Sequence, residues 1–179
     1  MTHIMIDLET LGTAADSVIL SIGAVKFDLH RGAVDDDNGF YRAVSVESNL
    51  AWNRRVSETT LQWWFEQSPQ AQRVFFGEKQ TLENALVQLS EWIVHKDPVM
   101  WSNGADFDLP MLAHAYNTCG IPTPWNFWQS RCYRTYKNLP GARALKLPAL
   151  GTKHDALDDA RSQAHTLCAI HKGLFPPHT

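Results

Sequence analysis

The order of strand-like and helix-like segments constrains the fold of this chain more than any other feature of its sequence. Three apolar stretches with strand character come first, at residues 4–6, 18–27 and 39–44. Helices are predicted next, over residues 57–68, 81–95, 106–116 and 155–171, with a buried strand at 99–101 among them. Four prolines between residues 122 and 148 predict a loop-rich stretch. Successive strands followed by alternating helices and strands predict a mixed α/β layer fold.

Length and composition fit one globular domain spanning residues 1–179. Hydrophobic residues make up 44% of the chain and charged residues 20%, a mix that argues against disorder. A formal net charge of −3 argues against a protein that coats nucleic acid non-specifically. No apolar run approaches the roughly 18 residues that span a bilayer, and the first residues do not form a signal peptide. We therefore expect a cytoplasmic protein with no membrane partner.

Acidic residues cluster at three places where a strand ends or a helix begins. Asp7 and Glu9 end the first strand, where alternate residues project from the same face. Asp108 and Asp159 belong to clusters that open the last two predicted helices. Neighbouring carboxylates destabilise each other unless a proton or a cation intervenes, and Mg²⁺ and Mn²⁺ prefer carboxylate oxygens. The clusters together indicate a metal site.

Each acidic residue also has a simpler interpretation. An isolated Asp-x-Glu is usually a solvated strand end. Helix capping and interaction with the helix dipole explain Asp106, Asp155 and Asp158. Capping explains Asp108 and Asp159 less well, because both are predicted to lie deeper in their helices.

Three short motifs follow one another along the chain: Asp7-Leu8-Glu9-Thr10, Asn103 with Phe107-Asp108, and His154-x-Ala156-x-x-Asp159. In order and spacing they resemble the motifs of the DEDDh 3′–5′ exonucleases, the RNase H-like group that includes oligoribonuclease and RNase T. The stretch 19–25 and the Trp63-Trp64 pair are similar to the short phage DexA-like and RNase T-like members. One difference is Ser102-Asn103, where the second motif often carries His-Asn.

The resemblance implies an RNase H-like three-layer fold, in which helices flank a central mixed β-sheet with three antiparallel strands first and parallel strands after. It implies a 3′–5′ exonuclease that releases nucleoside 5′-monophosphates from 3′ ends of single-stranded DNA or RNA. Two Mg²⁺ or Mn²⁺ ions are implied, one held by Asp7, Glu9 and Asp159 and the other by Asp7 and Asp108. His154 is implied as the general base. RNase T-like relatives also imply a homodimer.

Several side chains are candidates for contact with the substrate. The resemblance implies that Leu11 is an apolar wedge against the terminal base and that Thr10 lies beside the terminal sugar. Trp63 and Trp64 diverge by about 100° on a helix, so one of them is expected to stack on a base or to take part in core or dimer packing. Phe107 is a third aromatic candidate, with core packing as the alternative.

Basic residues are concentrated in one acid-free segment. Residues 109–153 contain no Asp or Glu and carry Arg131, Arg134, Lys137, Arg143, Lys146 and Lys153. A basic, loop-rich segment that leads into the last helix is typical of a phosphate-binding track, although any single lysine is more simply a solvated side chain. Arg131 and Arg134 are the best individual candidates.

A different class of function also stays open. The chain could be an accessory proofreading-type subunit or a nucleic-acid-binding module that acts through a polymerase partner. The sequence offers no tail or extra segment that would dock a polymerase, and the four carboxylates and the histidine of an active enzyme are all present. Both observations favour the exonuclease.

Overall fold

A mixed β-sheet forms the centre of the protein. The computed structural model describes residues 2–94, 96–142 and 147–176. Six strands occur within these residues: β1 His3–Thr10, β2 Ile19–Asp28, β3 Ala33–Val34, β4 Phe40–Ala43, β5 Val99–Ser102 and β6 Ser130–Cys132. Their hydrogen-bonded order is β3-β2-β1-β5-β6, and β4 also pairs with β2.

Pairing directions follow the predicted order of the strands. β1 with β2 and β2 with β4 are antiparallel, which confirms the expectation that antiparallel strands come first. β5 runs parallel to β1, and β6 runs parallel to β5. The carboxyl ends of β1, β5 and β6 therefore meet at one edge of the sheet, where α/β folds place their functional sites.

Six α-helices surround the sheet within the described residues: α1 Val46–Ala51, α2 Glu58–Phe65, α3 Leu82–Ile93, α4 Asp108–Thr118, α5 Tyr133–Lys137 and α6 Ala156–Leu174. Ser57 and Thr81 cap α2 and α3 by accepting a backbone N–H. The predicted end of α3 at His95 lies outside the described residues. None of these helices is long and apolar enough to cross a membrane.

The structure corrects the sequence predictions at the end of α6 and between residues 122 and 148. α6 continues to Leu174, three residues beyond the end predicted at residue 171. The stretch predicted as loops between residues 122 and 148 contains a 3₁₀ turn at Phe127–Gln129, strand β6 and helix α5. β6 is stabilised by pairing with β5, a strand that lies far from β6 in the sequence.

The two faces of β1 belong to two apolar cores. Ile4, Ile6 and Leu8 pack on the side of α3 and α4, whereas Met5 packs on the side of α6. Because side chains alternate along a strand, Asp7 and Glu9 share the face of Met5. Both carboxyl groups therefore project toward α6.

Helix α6 approaches β2 so closely at Gly23 that a residue with a side chain would not fit there. A Cβ atom at Gly23 would collide with the backbone of Ala156 and the amide nitrogen of Leu157. Gly23 is also the register partner of Asp7 on β1. This close contact holds the first turns of α6 beside the carboxyl end of β1, which brings Asp159 to the acidic residues of the first motif.

Candidate active site

A cavity of about 690 Å³ opens at the carboxyl edge of β1, β5 and β6. Elements far apart in the sequence contribute to its wall. Its lining includes acidic, aromatic and basic side chains together: Asp7, Glu9, Asp108, Asp159, Trp63, Phe107, Arg134, Lys137, Lys153 and His154. All four predicted carboxylates and the predicted histidine therefore line one cavity.

The carboxyl groups of the first motif are held close to other acids. Burial, then the charges of Asp108 and Glu9, raises the pKa of Asp7 well above its usual value. Burial and the charge of Asp159 raise the pKa of Glu9 to about 8. Asp7 Oδ1 also accepts a hydrogen bond of 2.7 Å from Gln163 Nε2. Acids clustered in this way are ionised together at neutral pH only when positive charge offsets their repulsion.

Asp108 is the first residue of α4, so the prediction that it lies deeper in the helix is wrong. Its Oδ1 accepts the N–H of Leu8 at 3.1 Å, which ties α4 to β1. This N–H is free to bond a side chain because the pairing of β1 with β5 ends at Met5 and Trp101. Burial raises the pKa of Asp108 to about 7, while the hydrogen bond from Leu8 opposes the rise.

The third motif lies at the start of α6. Asp155 is the N-cap and accepts the N–H groups of Leu157 and Asp158, which confirms its interpretation as a cap. Asp159 lies one turn further on, where its Oδ2 accepts the backbone N–H of His154 at 3.0 Å. One side-chain ligand atom each from Glu9, His154 and Asp159 all lie within 4.8 Å of one another.

His154 adopts an unusual backbone conformation beside the aromatic wall. Its φ angle is 65°, in the left-handed region that a non-glycine residue occupies at a cost of order 1 kcal/mol. The imidazole packs edge-on against Trp63, with 4.8 Å between ring centroids. Burial and the charge of Lys153 lower the pKa of His154. The neutral imidazole, which can accept a proton, is therefore favoured at pH 7.

The structure assigns different environments to the two adjacent tryptophans. Trp64 is buried and its Nε1 donates to the backbone oxygen of Thr10 at 2.8 Å. Trp63 is 39% exposed and lines the cavity, as does Phe107. Of the adjacent pair, Trp63 is therefore the side chain that faces the cavity.

The structure brings Thr10 to the cavity but not Leu11. Thr10 lines the wall, and its Oγ1 donates to the Gly12 carbonyl at 2.7 Å. Leu11 is 4% exposed and packs in the core with Val18 and Leu20. Leu11 follows the last residue of β1, so the side-chain alternation that places Asp7 and Glu9 on one face does not extend to it.

The predicted basic residues separate into two groups. Arg134 and Lys137, on α5, line the cavity together with Lys153. Arg131 is exposed outside it, and its Nη1 donates to the backbone oxygens of Trp128 and Ser130 at 2.7 and 2.9 Å. Arg143 and Lys146 lie outside the described residues.

Sequence reasoning missed Gln163, which lines the cavity and bonds Asp7 from α6. Gln163 follows Asp159 by four residues, a spacing that places both side chains on one face of a helix. That spacing was the available signal, but glutamines at such a spacing are too common to single one out.

These observations define the class of the protein. A mixed sheet with helices on both faces, and four carboxylates and a histidine gathered at the carboxyl edge of its parallel strands, agree with the fold and motifs implied by the resemblance to the RNase H-like DEDDh 3′–5′ exonucleases. Residues 2–171 match the family described as the 3′–5′ exoribonuclease Rv2179c-like domain. The chain belongs to this family, in agreement with the predicted resemblance.

Two nucleases illustrate the similarity of this chain to known proteins in sequence and in fold. The exodeoxyribonuclease of Enterobacteria phage T4 is 24% identical over 159 residues, covering 75% of this chain and 70% of the phage protein. The nuclease domain of 3′hExo, a DEDDh family member, has a TM-score of 0.60 at 16% identity, covering 96% of this chain and 90% of that domain. At such identity the structural similarity establishes the fold.

The cell-death related nuclease CRN-4 is a longer protein with the same fold. Its structure matches with a TM-score of 0.63 at 16% identity, covering 94% of this chain. This chain spans 63% of the length of CRN-4.

Proposed function

We propose that this protein hydrolyses single-stranded nucleic acid from the 3′ end and releases nucleoside 5′-monophosphates. The observation that carries the proposal is the convergence of Asp7, Glu9, Asp108 and Asp159 on one cavity that also offers aromatic and basic side chains. Acids supply ligands for cations, aromatic rings stack on unpaired bases, and basic groups bind phosphates. One cavity thus contains the groups needed to bind and hydrolyse a phosphodiester.

The four carboxylates suit divalent cations such as Mg²⁺ or Mn²⁺. Burial raises the pKa values of Asp7, Glu9 and Asp108, and repulsion from neighbouring acids adds to the rise at Asp7 and Glu9, so a cation would relieve an unfavourable arrangement of charges. We assign Asp7, Glu9 and Asp159 to one cation, and Asp7 and Asp108 to a second. Bound cations would neutralise charge on the scissile phosphate and lower the pKa of water.

His154 is the proposed general base. Its neutral imidazole would take the proton of the attacking water on an unprotonated ring nitrogen. The water oxygen bonds to phosphorus as the P–O3′ bond breaks, and the leaving O3′ takes a proton from solvent water, which leaves a 3′-hydroxyl on the shortened strand. The ring contact with Trp63 and the backbone hydrogen bond to Asp159 support His154 in a defined position beside the acids.

The other cavity residues would bind and orient the terminal nucleotides. Trp63 and Phe107 offer apolar surfaces for bases, and Thr10 would lie near the terminal sugar. Arg134 and Lys137 would pair with backbone phosphates, because both bring positive charge to the cavity wall from a segment that contains no Asp or Glu.

RNA and DNA share the substrate feature that this proposed activity requires, which is a single strand with a free 3′-hydroxyl. The matching family is described as exoribonuclease, whereas the phage T4 relative is an exodeoxyribonuclease. A time course with 5′-labelled single-stranded RNA and DNA of matched sequence, in Mg²⁺, Mn²⁺ or EDTA, tests the proposal. We expect stepwise shortening from the 3′ end of at least one strand, and no shortening in EDTA.

Two variants identify the groups responsible. Asp7→Asn keeps the shape of the side chain and its contact with Gln163 but removes the charge, so we expect a rate loss of about 10³-fold or more. Asp106→Asn changes an exposed acid of the second motif region and serves as the matched control, with wild-type activity expected. Wild-type shortening by Asp7→Asn, or shortening that persists in EDTA, would contradict the proposal.

A further inference from the structure

Two aromatic side chains are exposed just before β6, outside the cavity. Phe127 is 85% exposed and Trp128 is 61% exposed. Their ring centroids are 5.0 Å apart and their planes are nearly perpendicular, at 85°. Single exposed apolar residues are ordinary on protein surfaces, but two adjacent exposed aromatic rings form an apolar patch of the kind that binds a ligand or a partner.

The backbone that carries these rings is fixed on both sides. Trp125 is buried and packs edge-on against Tyr116. On the other side, the buried Gln129 accepts the backbone N–H of Asn126 at 2.6 Å and closes the 3₁₀ turn. Because the turn is already ordered, little conformational entropy of the backbone would be lost when a ligand binds there.

Arg131 lies beside the same turn. Its Nη1 donates to the backbone oxygens of Trp128 and Ser130, which holds the guanidinium next to the aromatic pair. In the part of the chain that the structure describes, the ion pairs of arginine involve Arg31, Arg55 and Arg161, and none involves Arg131. The remaining donors of this guanidinium can therefore bind an external anion.

We infer that Phe127, Trp128 and Arg131 form an outer site that binds the part of a single strand 5′ of the nucleotides in the cavity. Bases would stack on the two rings, and the guanidinium would pair with a phosphate. The inference rests on the proposed function. Strand β6, which carries Arg131 and is three residues and about 10 Å long, lies between the aromatic pair and Arg134 at the cavity, so one single strand can reach both.

Charge favours nucleic acid over a second copy of this chain as the occupant. The outer site lies within the acid-free segment 109–153, which attracts phosphates. A twofold contact through this surface would instead bring two copies of the same basic segment together, and like charges would oppose it.

Binding measurements with labelled oligonucleotides of two lengths test the outer site. In EDTA, strands of about 4 and about 15 nucleotides, of RNA and of DNA, are titrated with wild type and with Phe127→Ala/Trp128→Ala. We expect Kd for the longer strand to rise about tenfold in the variant, while Kd for the shorter strand stays unchanged. Arg131→Ala should lower the slope of log Kd against log salt by about 1 for the longer strand.

Phe76→Ala is the matched control, because Phe76 is 73% exposed and lies outside both the cavity and the outer site. It should bind both strands as wild type does. Equal affinity of wild type and double variant for the longer strand would overturn the inference. A change from dimer to monomer in sedimentation, without a change in Kd, would also overturn it and assign the surface to a second copy.

The design separates this inference from the proposed function. A wild-type protein that binds longer strands better than shorter ones, but fails to shorten either in Mg²⁺ or Mn²⁺, would refute the exonuclease and leave the outer site supported. A protein that shortens both strands, with Kd values independent of length, would refute the outer site alone.

Discussion

At the scale of single residues, the backbone around each motif decides which side chains reach the cavity. The four acids and His154 could be predicted because each belongs to a short motif whose spacing carries meaning. Leu11 could not be placed, because it follows the end of β1 and its burial depends on packing against residues distant in the sequence, such as Trp64. The choice between Trp63 and Trp64 also depended on packing, which buries Trp64 against Phe75.

Gln163 gives a prediction at this scale. Its Nε2 holds Asp7 by a hydrogen bond of 2.7 Å, and its Oε1 is buried without a partner among the described residues. If this bond orients Asp7 for a cation, Gln163→Leu should weaken Mn²⁺ binding about tenfold or more, as loss of a group that orients a metal ligand usually does. Isothermal titration of the protein with Mn²⁺ alone measures the change without any assay of activity.

Gln88→Leu provides the control for this prediction. Gln88 bonds Arg42 on the opposite face of the sheet, so the variant loses a side-chain hydrogen bond of the same amide type, far from the cavity. Mn²⁺ affinity of Gln88→Leu should equal that of wild type. Unchanged affinity in Gln163→Leu as well would show that Asp7 needs no support from α6.

At the scale of elements, the length of a segment separates the elements that could be predicted from those that could not. β2, α3 and α6 span 10, 12 and 19 residues, enough to show a periodic apolar pattern. β3 and β6 span 2 and 3 residues, too few for any period, and pairing with a distant strand stabilises both. The unpredicted α5 is similar, because its buried Tyr133 packs in the core beneath α6.

The contact between β2 and α6 can be tested by one substitution. Gly23→Ala would add a methyl group where the backbone of Ala156 already lies, and would force the start of α6 away from the sheet. We expect a loss of about 1–3 kcal/mol in the free energy of unfolding, the usual effect of overpacking. We also expect a large fall in activity, because the same turn carries Asp159.

Gly32→Asn separates this effect from the general loss of a glycine. Gly32 has a φ of 67°, which Asn tolerates, and a Cβ atom there would meet nothing within 4 Å. Urea unfolding and the exonuclease assay should give wild-type values for this control. Wild-type stability and activity in Gly23→Ala would mean that α6 can shift without disturbing the site.

At the scale of the whole molecule, the acidic cluster sets stability against function. Burial raises the pKa of Asp108 to about 7, and burial together with the charges of neighbouring acids raises the pKa of Glu9 to about 8. A carboxyl group with a higher pKa in the folded state than in the unfolded state binds protons more tightly when folded. The metal-free protein therefore loses stability as pH rises through these values, and a cation that binds the ionised acids opposes the loss.

The Tm of the protein should therefore depend both on pH and on added divalent cations. Between pH 6.5 and about 8, Tm of the wild type in EDTA should fall, because Asp108 and Glu9 ionise there in the folded state. The buried His3, whose pKa is lowered by burial to about 4, opposes this fall only at the lower end of the range, because the unfolded-state imidazole releases its proton near pH 6.5. At pH 8, excess Mg²⁺ or Mn²⁺ should raise Tm by about 5–10 °C.

Asp7→Asn completes this test, because it removes one charge from the cluster while keeping the shape of the side chain. In EDTA at pH 8 its Tm should exceed that of wild type, and added Mg²⁺ or Mn²⁺ should raise it much less. Asp106→Asn, the exposed control, should follow the wild-type curves in both conditions. Scanning calorimetry measures Tm of all three proteins. A wild-type Tm that rises from pH 6.5 to 8 in EDTA would contradict the claim that ionisation of the buried acids destabilises the metal-free protein. The proposed cation site depends on that claim.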